Sequence, residues 1–173
     1  MTSEMNNKLW GDINRLKREV ERLRTPDRPR LIIPSARVHN SVEVKVPNTT
    51  NTVIPFDTEI LDTDNIHSTA SNTGRLTCKT AGLYHIYGHA LWTSNEIGIR
   101  VLNILLNGST FLVTVRHTVS GPTNYMIIDT EYPLTVNDYV EFVVYQTSGV
   151  TLGISSLFPR SPAFGMAYLG KVA

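Results

Sequence analysis

The hydrophobic period of the chain changes once, and three prolines mark the change. Up to residue 24 the apolar residues recur at alternating intervals of four and three, which is the period of a coiled coil. Pro26, Pro29 and Pro34 then exclude a continuous helix and favour a stiff, extended segment. Beyond them, apolar and polar residues alternate at the period of two that β-strands require. The sequence therefore predicts a helical stem over residues 1–24, a proline-rich linker over residues 25–34 and a β-rich head over residues 35–173.

The stem pattern predicts a short parallel coiled coil. Asp12 precedes Lys17 by five residues and Glu19 precedes Arg24 by the same interval, which is the spacing of g–e′ pairs between parallel helices in register. Because so short a helix is marginal alone, we expect the head to contribute to association. An amphipathic helix packed on its own domain is the alternative. The a and d positions are Asn6, Leu9, Ile13, Leu16, Val20 and Leu23.

The head has the pattern of an antiparallel two-sheet sandwich. About ten short strands follow one another with turn residues at regular intervals and no helical period. Asn107-Gly108 is the pair that a type I′ hairpin favours. Between Leu83 and Trp92 successive residues fall on opposite faces, so one face can fill a core. The residues that we expect in this core are Tyr84, Ile86, Val140, Phe142 and Phe164.

Residues around the central strand resemble the signature of the C1q family, the globular heads of the C1q and tumour-necrosis-factor superfamily. The elements that carry the resemblance are Phe56, Asp62, the run from Thr73 to Cys78 and the run from Gly82 to Tyr87. Leu76 and Ile86 stand where the family usually has Phe. The run from Ser161 to Leu169 is similar to the family's last strand. The run from Leu134 to Val140 is similar to its L-x-x-G-D-x-V turn, with Asn137 in place of Gly.

This resemblance spans roughly residues 36–172 and implies a C1q/TNF-like jelly roll that forms homotrimers. The stem alone leaves the oligomer open, since β-branched a residues with Leu at d lean toward two strands. We follow the resemblance and expect three chains. Aromatic residues are enriched at the centres of interfaces, and the ones that we expect at the trimer interface are Tyr87, Trp92 and Tyr168.

Two groups of side chains are candidates for metal ligands. One His89 from each chain of a trimer could converge on a three-fold axis, although a surface or interface histidine is the alternative. Asp62 and Asp64 offer the oxygen ligands that calcium prefers, but without EF-hand spacing, and polar loop capping is the alternative. The resemblance implies calcium in some heads, near the trimer apex. We expect no cofactor, with calcium or an axial metal as the two possible exceptions.

Catalytic motifs are absent from the sequence. It contains no paired glycosidase carboxylates, Ser-His-Asp arrangement, phosphate-binding glycine loop or CxxC pair that can be recognised. Cys78, the single cysteine, shares the apolar face of an alternating strand with Leu76, and we interpret it as a buried small residue. We therefore expect a protein that is not an enzyme.

Charge and hydropathy exclude two classes of partner. A net charge of +1 gives no general affinity for nucleic acid, and we interpret the basic stem as a solvated helix. No apolar run is long enough to insert into a membrane, and the polar N-terminus lacks the apolar core of a signal peptide. These features predict synthesis in a bacterial cytoplasm.

A coiled-coil stem, a proline linker and a C1q-like head resemble the bacterial and bacteriophage branch of the family. The runs from Ala36 to Ser41 and from Phe56 to Glu59 also resemble that branch. We expect a trimeric tail fibre knob or virion decoration protein, located in the virion, that binds a host cell-surface glycan or protein. Its N-terminus could dock on other virion proteins. A structural cap that only trimerises and registers a fibre is the alternative. The candidate binding loops are Asp62–Asn72, Thr93–Ile97, Thr118–Asn124 and Gln146–Val150.

Overall fold

The computed structural model describes residues 2–24, 32–122, 124–157 and 159–172. It divides into two units, residues 1–32 and 33–173. Residues 25–31, which are most of the expected linker, lie outside the described part. The first unit is helix α1, Thr2–Arg24. The strands described in the second unit are β1 Ser35–His39, β2 Val44–Val46, β3 Thr52–Val53, β4 Thr58–Asp62, β5 Arg75–Thr77, β6 Gly82–Trp92, β7 Ile99–Leu106, β8 Thr110–Thr118, β9 Asn124–Leu134, β10 Tyr139–Gln146, β11 Leu152–Ile154 and β12 Ala163–Gly170.

Helix α1 exposes the apolar stripe that the heptad pattern places at a and d. Leu9, Leu16, Val20 and Leu23 leave between 46% and 59% of their surface open, and Ile13 is half-buried. The two g-position carboxylates pair within the helix, Asp12 with Arg15 at 3.6 Å and Glu19 with Arg22 at 2.6 Å. A lone helix with this stripe buries little apolar surface, so association is the state in which the stripe is covered. The coiled coil itself stays a prediction.

Strand β6 is the centre of the first sheet. It pairs along its whole length with β9, from Gly82 opposite Leu134 to Trp92 opposite Asn124. Its other edge pairs with β12 and, at Trp92, with β11. Beyond these, β1 pairs with β12, β4 with β1, and β2 with β11, all antiparallel.

The second sheet has the order β3-β10-β7-β8, with β5 also paired to β10. The hairpin from β7 to β8 turns at Asn107 and Gly108, whose φ angles are 52° and 72°. These values, and the bond from the Ser109 N–H to the Leu106 carbonyl at 3.2 Å, are those of the predicted type I′ turn. Asn137, in the turn between β9 and β10, has φ of 76°. Two antiparallel sheets confirm the predicted all-β sandwich.

The core lies between the two sheets. The five residues expected there are completely buried, and Phe164 stacks on Phe56 and Phe142 at centroid distances of 5.9 and 5.6 Å. Burial of each large apolar side chain contributes about 1.5–3 kcal/mol. The buried Tyr84 hydroxyl donates to the Thr80 carbonyl at 2.6 Å, so its polar end is satisfied.

The alternation of Val42, Val44 and Val46 predicts one strand and the run from Val53 to Leu61 predicts another, but both are shorter in the structure. Val42 is 61% exposed and β2 begins only at Val44. The expected strand from Val53 to Leu61 is divided into β3 and β4. Pro55 lies in the gap, and a proline has no N–H to continue a ladder.

The head has two ends, which the strand directions define. The near end holds the start of β1 at Ser35, the start of β6 at Gly82 and the end of β12 at Gly170. The far end holds the opposite ends of these three strands, including Trp92 at the end of β6, and also the start of β7. Antiparallel pairing thus brings the first and last strands of the head together, with the Tyr168 N–H donating to the Pro34 carbonyl at 2.9 Å.

Candidate functional site

The structure sorts the four candidate binding loops by end. Thr93–Ile97, Thr118–Asn124 and Gln146–Val150 all follow or precede strand ends at the far end, although Thr123 is outside the described residues. Asp62–Asn72 begins at the near end, where Asp62 pairs with Ala36. Three of the candidates therefore lie at the same end of the head and the fourth begins at the opposite end.

A buried arginine holds the first of the far-end loops. Arg100 points inward from β7 and is completely buried. Its Nη groups donate to the carbonyls of Ile97 and Ile99 at 2.8 and 3.0 Å, and to the carbonyl and side-chain oxygens of Asn95, both at 3.0 Å. Burial lowers the pKa of Arg100. Among the described residues no carboxylate pairs with it, so backbone dipoles and the Asn95 amide solvate the charge and fix the loop.

A buried glutamine holds another of these loops. Gln146, opposite Arg100 in the sheet, is completely buried. Its amide donates to the carbonyls of Val46 and Val150 at 3.2 and 2.7 Å, and its oxygen accepts the Ser148 N–H at 2.6 Å. Sequence reasoning missed Arg100 and, although it named Gln146 as the start of a candidate loop, it missed the role of this side chain in holding the loop. The alternation Arg100, Leu102, Ile104 was the available signal, since it places the arginine on the core face.

The trimer-interface prediction is wrong for Trp92. Its side chain is 1% exposed and lies in the core, with the Arg100 guanidinium 5.7 Å from its ring. Trp92 shares the parity of Tyr84 and Ile86, so the period of two places it inward. Tyr168 also lies on the core side, where its ring meets Tyr84 edge-on at 5.5 Å.

Tyr87 does lie on the outer face, which is the side of β1, β12, β6 and β9 turned away from the core. Its ring lies over Gly165, where any larger side chain would collide with it. Ile127 is 61% exposed and Tyr125 is 42% exposed on the same side. Two rows of paired residues cross this face, namely Arg37, Gly165, Tyr87 and Asp129, followed by His39, Ala163, His89 and Ile127.

His89 lies on the outer face, but its ring is partly covered. Its Nε2 is buried and has no hydrogen-bond partner among the described residues, and its ring packs beside Tyr125 at 5.4 Å. Burial lowers the pKa of His89, and the nearby Arg37 acts in the same direction. A buried Nε2 cannot reach an ion on an axis without moving. The conformation in the single chain therefore favours the alternative, a packed histidine, over an axial ligand.

The carboxylates proposed for calcium have other partners. Asp62 accepts the N–H groups of Asp64, Ile66 and His67 at 2.9–3.1 Å. Asp64 accepts the Thr80 hydroxyl at 2.9 Å. This is the geometry of loop capping, the alternative role for these acids. Within the described ranges, no group of three or more His, Cys, Asp or Glu residues is placed to hold a metal ion.

Cys78 is buried in the core and its thiol donates to the Thr80 carbonyl at 3.2 Å. Burial raises the pKa of this thiol. A nucleophilic cysteine needs a lowered pKa and access to solvent, so this side chain has a packing role. In the described part of the chain, no helix has both the length and the apolar character needed to cross a membrane.

Solved structures match this fold. Neither a protein-family model nor a curated protein matches the sequence. The globular domain of zebrafish complement 1qA protein aligns with a TM-score of 0.58 at 16% identity, covering 80% of this chain and 99% of that one. Eiger TNF from S. frugiperda gives 0.60 at 16%, covering 82% and 95%. Murine APRIL at pH 5.0 gives 0.61 at 10%, covering 79% and 99%. At identities this low the alignments show the fold alone, and that fold confirms the predicted jelly roll.

Proposed function

We propose that this chain, a C1q/TNF-like jelly roll with an N-terminal helix, forms a homotrimeric, non-enzymatic binding head of a bacteriophage virion. In this proposal it is a fibre knob or a decoration protein that recognises a host cell-surface glycan. The observation that carries the proposal is the outer face of the first sheet, which exposes Tyr125 and Ile127 beside Tyr87. The virion location rests on the sequence resemblance to the bacteriophage branch.

The composition of the outer face supports association with further copies of the chain. Its β12 positions are small, Ala163, Gly165 and Ala167, so nothing projects between the side chains of β6 and β1. Exposed tyrosine and isoleucine beside small residues allow close packing of another surface, with tyrosine the type enriched at interfaces. The uncovered stripe of α1 supports the same conclusion from the other unit.

The far end supports recognition rather than catalysis. Arg100 and Gln146 hold two of its loops by buried hydrogen bonds. Because these loops are already ordered, little conformational entropy is lost when a ligand binds. Three such ends on one trimer would convert weak single contacts into useful avidity.

Light scattering of the full chain tests the trimer. We expect a mass about three times the 19.3 kDa of one chain. Ile127→Glu places a charge on the outer face and is expected to reduce that mass, because a buried unpaired carboxylate opposes association. Phe111→Glu, at a residue 55% exposed on β8 of the second sheet, is the matched control and is expected to leave the trimer intact. A trimer unaffected by Ile127→Glu contradicts the interface.

Retention on host surface fractions tests recognition. We expect the full-length trimer to be retained on purified bacterial surface polysaccharide. Retention is expected to fall for a monomeric Ile127→Glu variant, because avidity is lost. A trimer that binds no host fraction contradicts the binding role and supports the structural cap.

A further inference from the structure

A polar pocket lies between the loop of residues 65–72 and the outward side of β5. Its volume is about 200 Å³. This is below the roughly 300–1,000 Å³ of sites for drug-sized ligands, so the pocket fits one small ring. Its lining residues are Asn65, Ile66, His67, Ser68, Ser71, Asn72, Arg75, Thr77 and Lys79.

Local strand geometry places three of these side chains on one side. Arg75, Thr77 and Lys79 alternate with Leu76 and Cys78, both of which are completely buried. The period of two therefore turns Arg75 and Thr77 outward, and Lys79, two residues beyond the end of β5, lines the same pocket. The loop is fixed opposite them, because the Thr77 N–H donates to the Ile66 carbonyl at 2.8 Å.

His67 fixes the loop from inside. Its side chain is completely buried, with Nδ1 2.9 Å from a Glu59 carboxylate oxygen and Nε2 3.1 Å from the Thr73 carbonyl oxygen. Asp62 holds the preceding backbone by accepting three N–H groups. These buried and capping bonds make the pocket wall part of the folded structure, so it is formed before a ligand arrives.

The charge of the pocket is positive. Arg75 is positioned by its Nε bond to Glu141 at 2.9 Å and by the Tyr139 ring, 4.0 Å from the guanidinium carbon. Its two Nη groups make no hydrogen bond to a described residue. Lys79 forms no ion pair within the described part of the chain. Glu141 offsets the charge of Arg75, and Lys79 leaves the lining with a net positive charge.

Neutral donors surround these cations. The side chains of Asn65, Ser71, Asn72 and Thr77 line the pocket and make no hydrogen bond to any described residue. A planar guanidinium matches a carboxylate, and hydroxyl and amide groups match the hydroxyls of a sugar. A small inorganic anion would leave most of the neutral groups unused.

From these features we infer that the pocket binds one carboxylated sugar residue, such as a uronic acid unit of a surface polysaccharide. The carboxylate pairs with Arg75 and Lys79, and the ring hydroxyls bond to the asparagine, serine and threonine side chains. This inference rests on the proposed glycan-binding function. It adds an acidic-sugar site beside β5, separate from the far-end loops.

Saturation-transfer NMR on the full chain tests the inference, with glucuronic acid as the probe and glucose as its neutral counterpart. We expect glucuronic acid to bind with a Kd on the order of 1 mM, as suits a ligand of this size. Glucose lacks the carboxylate and is expected to bind at least tenfold more weakly, which corresponds to the loss of about one charge-assisted hydrogen bond. Lys79→Gln is expected to weaken glucuronic acid about tenfold for the same reason. Arg75→Lys keeps the positive charge but removes the planar guanidinium, whose two Nη groups can pair with both oxygens of a carboxylate. This variant is therefore also expected to weaken the binding of glucuronic acid. Lys171→Gln removes an exposed lysine elsewhere and is the matched control.

Four results would overturn the inference. These are no binding of glucuronic acid, equal binding of glucose, sulfate binding as tightly as glucuronic acid, and glucuronic acid binding unchanged by Lys79→Gln. The last would place the acid elsewhere on the head. If the protein does not bind glucuronic acid but is retained on bacterial polysaccharide, the acidic-sugar site is refuted and the proposed function stands. Binding of glucuronic acid without retention on any host fraction would do the reverse.

Discussion

At the far end of the core, one arginine occupies a position that strand alternation reserves for an apolar side chain. A buried cation without a carboxylate is costly unless hydrogen bonds replace its water. Arg100 meets this condition with carbonyl groups of the loop that it closes. Alternation predicts the direction in which such a residue points. It cannot predict the loop carbonyls, because these depend on the folded path of Asn95 and Ile97.

Replacement of Arg100 is expected to loosen that loop. Arg100→Met keeps the length and apolar stem of the side chain but removes four hydrogen bonds. Because the cost of the buried charge disappears as well, we expect a change of only about 1–2 kcal/mol in the free energy of unfolding. Hydrogen exchange in residues 95–99 is expected to accelerate. Arg116→Met, at an exposed arginine on β8, is the control, and equal exchange in the two variants would refute the role.

One carboxylate of the β9–β10 turn predicts an acid-sensitive fold. Asp138 accepts the Asn107 side-chain amide at 2.9 Å and the Thr135 N–H and hydroxyl at 2.8 and 2.7 Å. These bonds hold the pKa of Asp138 below its ordinary value of 3.8. A group with a lowered folded pKa stabilises the protein above its unfolded pKa. This stability is lost as the pH falls through the folded value.

We therefore expect the urea midpoint to fall between pH 5 and pH 3, and Asp138→Asn to reduce the dependence. The variant is also expected to be less stable than the parent at pH 7, where the charge-assisted bonds contribute most. Glu131→Gln removes an exposed acid on β9 that has no ion pair to a described residue, and it serves as the control. An unchanged pH profile in Asp138→Asn would show that other groups govern acid unfolding.

At the scale of elements, helix α1 is the part whose stability depends most on neighbours. Its apolar stripe is exposed, and its g-position acids form ion pairs with arginines of the same helix. Surface pairs of this kind contribute only a few tenths of a kcal/mol. They can exchange for interchain pairs at little cost, so packing of the apolar stripe decides whether the helix persists.

Leu16→Glu tests that packing. A charge at this d position is expected to abolish most of the helical signal at 222 nm, because an isolated helix of 23 residues is marginal. We expect the β-sheet signal to remain, since the head has its own core. Arg18→Glu, at the outward f position, is the matched control. A helical signal that survives Leu16→Glu unchanged would contradict a coiled coil.

The strands show how far a sequence pattern can predict a sheet. Period-two alternation placed Tyr84 and Ile86 inward and Tyr87 outward without knowledge of the partners. The same parity places Trp92 in the core, where the structure has it. The prediction of Trp92 at an interface relied instead on the general preference of aromatic residues for interfaces, which is a weaker guide than strand parity. The pocket beside β5 could not be predicted, because it forms only when residues 65–72 fold back over the strand.

At the scale of the molecule, three surfaces are separate. The outer face of the first sheet carries Tyr87 and Ile127, the far end carries the loops held by Arg100 and Gln146, and the acidic-sugar pocket opens beside β5. Because these surfaces share no residue, association and ligand binding can be altered by different substitutions. This separation makes the experiments on the trimer and on the pocket independent.

The antiparallel pairing of β1 with β12 gives the head a practical geometry for protein engineering. The start of the first strand of the head and the end of its last strand both lie at the near end, where Ser35 is opposite Ala167. Gly149, at the tip of a far-end loop, has open space around it. Exposed tips of this kind are the sites that best tolerate inserted sequence. A foreign epitope grafted at Gly149 would be presented at the opposite end of the head from its first and last strand ends, which is the arrangement that a display scaffold requires.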